Sequence, residues 1–176
     1  MPHKSTQVAV GGLSAALCVV LMMLSAMLPF STYALPTLAG IALIPAAIEL
    51  GQKTAGIIYV AASLLSIMLV PDLETALMFV AFFGYYPILK FRIDGIRSRL
   101  IRILCKFSLF NAAILLAYQV MIRLFGMVEL TEEFGGTALI LGMLAVANVA
   151  FVVYDFALRN ITALYIGRFR KKYLRR

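Results

Sequence analysis

Apolar residues run along the chain in six long stretches separated by short polar connections, at about 8–30, 36–50, 55–70, 75–90, 107–125 and 137–157. A helix rises 1.5 Å per residue, so runs near 20 residues cross a hydrocarbon core of about 30 Å. The second stretch is short, about 22 Å if fully helical, and Pro45 interrupts its hydrogen-bond ladder. Backbone freed there has no water to turn to in lipid, which predicts that this helix packs inside the protein. Pro71 ends the third stretch, and Asp72 and Glu74 follow where carboxylates favour the positive end of the next helix. Between 93 and 106 the pattern changes. Ile93, Ile96, Leu100, Ile103 and Leu104 recur at helical spacing with Arg97, Arg99, Arg102 and Lys106 mostly between them, which predicts a basic interfacial helix. The apolar run after Gln7 exceeds a signal-peptide core, so a retained first span is expected.

Composition makes lipid the solvent. The 176 residues are 63% hydrophobic and 14% charged, with a mean hydropathy of +0.98, far from the roughly 45–50% apolar and 25% charged of soluble domains. The expected fold is all-α: a polytopic membrane protein, a bundle of six transmembrane helices forming one domain over 1–176. Charge then orients the bundle. Fourteen of the sixteen Lys and Arg fall at Lys4, Lys53, the six from Lys90 to Lys106, and the tail 168–176. The opposite connections carry Asp72, Glu74, Glu129, Glu132 and Glu133, so both termini are expected in the cytoplasm. A net charge of +8 could suggest nucleic acid. Its placement beside apolar spans instead points to anionic lipid headgroups, and no nucleic-acid partner is expected.

Polar groups inside spans are costly and therefore informative. Asn111, Gln119 and Arg123 fall at multiples of four along the fifth span, and Asn148 lies near mid-depth in the sixth. Two accounts of Arg123 stay open. In one, Gln119, Arg123, Asn148, Glu74 and Tyr33 form an outward-opening polar pocket; in the other, Arg123 snorkels to the surface and pairs with Glu129 or Glu74. Asp155 and Arg159 have the spacing of a helical salt bridge. Tyr85 and Tyr86 precede Pro87 where an aromatic belt is expected. Cys18 and Cys105 read as small hydrophobes, without the spacing of a metal site. His3 is the only histidine, and neither H-E-x-x-H, G-x-S-x-G nor a phosphate-cradling loop is present, so no enzyme, metal or cofactor is expected.

The first span opens with two small-xxx-small pairs, Gly11 with Ala15 and Gly12 with Ala16, which allow close helix approach in lipid. With the six-span layout, inward termini and basic inner connections, this pattern resembles the substrate-binding S components of energy-coupling factor (ECF) transporters. The resemblance covers the whole chain and is one of layout; this sequence has glycine where alanine is commoner in the family's motif. It implies that Gly11, Gly12, Ala15 and Ala16 meet a coupling transmembrane subunit, that two cytoplasmic ATPases supply energy, and that a vitamin-like small molecule is captured near the outer face. The alternative is a structural or regulatory membrane subunit without a small-molecule ligand.

Overall fold

The computed structural model describes residues 4–28, 31–125 and 137–170. Among these there is no strand. Eight α-helices follow one another: α1 Lys4–Met23, α2 Ala34–Ala42, α3 Ile44–Glu49, α4 Gln52–Leu69, α5 Leu73–Met78, α6 Tyr86–Asp94, α7 Arg99–Phe125 and α8 Thr137–Leu164. Five helices are long and apolar enough to cross a membrane, at Gln7–Ala26, Gln52–Leu69, Leu73–Asp94, Arg99–Arg123 and Leu141–Gly167, with Ala34–Glu49 a shorter apolar one. Where six spans are expected, the described residues hold five helices of spanning length and one shorter apolar helix. The chain divides into two compact units, Met1–Arg102 and Ile103–Arg176, and the boundary falls inside α7.

In the first unit α1 packs against α2 and α4, and α3 against α4. Cys18, Met22, Ala39, Leu43, Ala46, Ala55, Ile58 and Phe79 form its core. The Cys18 thiol donates to the Ala39 carbonyl at 3.2 Å, while Cys105 is exposed. Pro45 starts α3 and separates it from α2, and Leu43, Ile44 and Ala46 beside the break are buried. The short interrupted helix is thus an interior element, as its missing hydrogen bond requires. Gly51 joins α3 to α4 with φ +86, a left-handed turn that glycine adopts without steric cost.

The run from Leu73 to Asp94 is broken by two backbone devices. Residues Phe79–Phe83 form a π-helical turn, in which the Gly84 amide donates to the Phe79 carbonyl at 2.8 Å. That leaves the Val80 carbonyl without the Gly84 amide it would receive in an α-helix. The Tyr59 hydroxyl from α4 donates to it instead, at 2.7 Å. One turn on, Pro87 has no N–H for the Phe83 carbonyl, and Gly40 of α2 lies directly against that oxygen: a Cβ on Gly40 would collide with it. A Cβ on Gly84 would fall 2.6 Å from the Tyr59 ring.

The single basic helix expected over 93–106 is not formed. Ile93 and Asp94 end α6, Gly95 and Ile96 donate back to the Arg92 and Ile93 carbonyls at 3.2 and 3.0 Å, and the Ser98 carbonyl accepts from Arg102 at 3.1 Å to start α7. Tight three-residue turns at Gly95 stop one helix, and serine, a favourable N-terminal residue, begins the next. Arg99, Arg102 and Lys106 then belong to the first turns of the long helix α7.

Candidate functional site

The five pocket candidates are distributed over both units, Tyr33 and Glu74 in the first, Gln119, Arg123 and Asn148 in the second. The first pair meets. Asp72 caps α5, accepting from the Glu74 and Thr75 amides at 3.1 and 3.4 Å, and the Thr75 hydroxyl also bonds to Asp72. This cap aims Glu74 at the segment before α2, where the Tyr33 hydroxyl donates to Glu74 Oε1 at 2.9 Å. Partial burial first, then the Glu74 hydrogen bond and the charges of Glu74 and Asp72, push the Tyr33 phenol up to about 12. It is a neutral donor at physiological pH. Tyr33 is nevertheless 57% exposed, so solvent screening keeps the contact weak. Chemically this end offers carboxylate acceptors, suited to ligand N–H or O–H groups.

In the second unit α7 and α8 meet along a polar and aromatic seam. The Lys106 ammonium donates to both Asp155 carboxylate oxygens at 3.1 and 2.9 Å. Phe151 stands edge-on to Phe107 and stacks on Phe110 with centroids 4.5 Å apart. Asn111 Nδ2 donates to Asn148 Oδ1 at 3.0 Å, and Asn148 Nδ2 returns a bond to Asn111 Oδ1 at 3.1 Å. As α7 advances from 106 to 111 its partners fall from 155 to 148, so the two helices run antiparallel.

Each asparagine also donates to the carbonyl four residues back, Phe107 or Leu144, at 2.8 Å. Both amide hydrogens of Asn148 are therefore engaged, which leaves it acceptor capacity only. The helical pair expected between Asp155 and Arg159 is replaced: Lys106 holds Asp155, and the Arg159 guanidinium lies 5.1 Å from the Phe156 ring centroid. Across-helix geometry gives Asp155 a partly buried ammonium, which outcompetes an exposed neighbour on its own helix.

Gln119 and Arg123 are both exposed on α7. Their four-residue spacing drifts by about 40° per step on a helix of 3.6 residues per turn. By Arg123 the stripe has rotated about 120° from Asn111, away from the seam. Glu129, the other partner considered for Arg123, lies outside the described residues, as do Glu132, Glu133, His3 and the tail from 171 onward.

The small residues of α1 also separate by face. Gly11 is buried, and a Cβ there would touch Ile58 of α4 at 3.3 Å; Ala15 packs beside the same core. Gly12 and Ala16 are exposed, and a Cβ on Gly12 would meet nothing within 4 Å.

Sequence reasoning missed the Tyr59 cluster. Tyr59 packs edge-on to Tyr85 at 6.0 Å, Tyr86 stacks on Phe82 at 4.7 Å, and Tyr86 is fully buried. Of the two tyrosines expected in an aromatic belt, Tyr86 is buried and Tyr85 is half-buried beside the π turn. A usable signal was the row Tyr59, Ser63 and Ser66 at helical spacing within an apolar helix. Ser66 donates to the Ser63 carbonyl at 2.8 Å, and Ser63 Oγ is buried with no hydrogen-bond partner among the described residues. Among those residues, too, no group of three His, Cys, Asp or Glu is placed to hold a metal ion. Comparison of the chain with protein-family models, with curated proteins and with solved structures returns no match.

Proposed function

We propose that the chain is the substrate-binding membrane subunit of an ECF-type importer. In this account it is a multi-pass cell-membrane protein with both termini cytoplasmic, which captures a vitamin-like micronutrient at the outer face. A coupling transmembrane subunit and two cytoplasmic ATPases power uptake. The observation that carries the proposal is the division of α1. Gly11 and Ala15 serve the chain's own core, while Gly12 and Ala16 remain exposed on a helix whose outward row includes Val8, Leu13 and Val20. A small-residue face free of its own chain is what a second transmembrane subunit needs for close packing.

Arg123 and Gln119 are the leading ligand contacts, with the acceptor side of Asn148 as a further candidate. An arginine supplies paired donors to a carboxylate or phosphate. The test is copurification in mild detergent with an ATPase pair and a coupling subunit, followed by ligand uptake. Gly12→Leu is expected to abolish assembly, and Arg123→Ala to reduce uptake while assembly persists. A chain that never associates with such a module overturns the proposal.

A second reading, a structural or regulatory subunit without a ligand, is favoured by one observation: Asn148 and Asp155 are both committed to α7. Uptake unchanged in Arg123→Ala and Gln119→Ala, with assembly still lost in Gly12→Leu, selects it.

A further inference from the structure

A shallow, open groove of about 430 Å³ lies on the outward face of α4, lined by that helix alone through Lys53, Gly56, Ile57, Val60, Ala61 and Leu64. Its chemistry changes along its length. Beyond Lys53 every lining side chain is aliphatic or absent, and Gly56 leaves a gap, since a Cβ there would meet nothing within 4 Å. From Lys53 to Leu64 the helix advances about 17 Å, close to one leaflet's half of a hydrocarbon core of about 30 Å. At the Lys53 end a second cation arrives from α6: Arg92 Nε donates to Gln52 Oε1 at 2.7 Å, which ties the exposed guanidinium to the turn that carries Lys53.

We infer that this groove is a binding site for an anionic phospholipid, with one acyl chain along Gly56, Ile57, Val60 and Leu64 and the headgroup phosphate between Lys53 and Arg92. The pairing of a leaflet-length apolar strip with Lys53 at its end, and with Arg92 tied to the adjacent Gln52, selects this occupant. A neighbouring protein helix would have to cover both charges, whereas a phosphate neutralises them, and its oxygens accept from the Lys53 ammonium and the Arg92 guanidinium. The inference uses the bilayer placement of the proposal above and is independent of any substrate.

The test is native mass spectrometry of the full-length protein presented with phosphatidylglycerol and phosphatidylcholine of identical acyl chains. The wild type is expected to retain phosphatidylglycerol preferentially. Lys53→Gln and Arg92→Gln are each expected to lower that preference about fivefold, the effect of one cation near a membrane surface. Gly56→Leu, which fills open space and leaves the core untouched, is expected to reduce retention of both lipids. Equal retention of the two lipids by the wild type overturns the inference, as does a preference that survives both charge substitutions. Disulfide trapping of two copies through Ile57→Cys, in place of lipid retention, also overturns it and assigns the groove to a second copy of the chain. Association with an ATPase module is a separate readout, so the importer proposal stands or falls independently.

Discussion

The two units of the chain solve the same problem, holding together helices whose outer faces are as apolar as their packed ones, by different means. The first relies on close approach. Gly40 lies against the Phe83 carbonyl and Gly84 under the Tyr59 ring, and the Val80 carbonyl released by the π turn accepts from the Tyr59 hydroxyl. The second relies on side-chain pairs, Lys106 with Asp155 and Asn111 with Asn148, set among stacked phenylalanines. The difference teaches that small residues and broken helices belong together. A carbonyl without its amide can be covered only if the facing helix has no side chain in the way. Two unbroken helices have no such carbonyl, and polar side chains can specify their register instead.

The largest expected effect tests the first half of that contrast. Gly40→Val puts a branched side chain into the Phe83 carbonyl and is expected to cost about 3 kcal/mol, at the upper end of overpacking penalties, read as loss of helicity at lower denaturant in detergent. Lys106→Ala is expected to cost about 2 kcal/mol, the scale of hydrogen bonds to a charged group, in the same assay. If it matches or exceeds Gly40→Val, the contrast between the units breaks.

The asparagine pair comes next. Asn111→Leu and Asn148→Leu are each expected to cost about 1 kcal/mol. Their double mutant should cost less than the sum, with a coupling near 0.6 kcal/mol, typical of interhelical hydrogen bonds in membranes. Additive costs would show that the two amides act independently and that the register is set by the phenylalanines.

The smallest effect falls at the half-exposed tie of the first unit. Tyr33→Phe is expected to cost less than about 0.5 kcal/mol at neutral pH. The Tyr33 phenol is raised to about 12 from an ordinary value near 10. Its contribution is therefore fully present below pH 10 and is lost as pH rises through about 12. Tyrosinate absorbance of the wild type minus that of Tyr33→Phe should show one late-titrating phenol; a difference curve centred near 10 would mean that Glu74 does not hold it.

Much of the fold was legible because long apolar helices display their limits in a single sequence. Uninterrupted apolar runs bounded by Pro71 or Gly51 mark the helices with ends shifted by a few residues, and Pro45 marks a break that must be buried. Of the candidate site, the Tyr33 to Glu74 contact was within reach, since both flank starts of helices on one expected side. Asn148 reads from the sequence as a costly polar group, but its bond to Asn111 is not legible there, because periodicity within one helix cannot say which residue of another it faces. Arg123 was grouped with Asn111 by a spacing of four, which holds over one step and fails over three as the helix turns.

Local chemistry along the chain was enough to determine that this protein is helical, apolar and basic at particular connections, because those properties follow from residue transfer energies and backbone propensities alone. Partnership was decided by the tertiary structure. Lys106 rather than Arg159 holds Asp155, Tyr59 serves a carbonyl on another helix, and Gly11 and Gly12, adjacent in sequence, face a neighbouring helix and open space respectively. Each outcome depends on the angle at which two helices meet, a relation between residues distant in sequence.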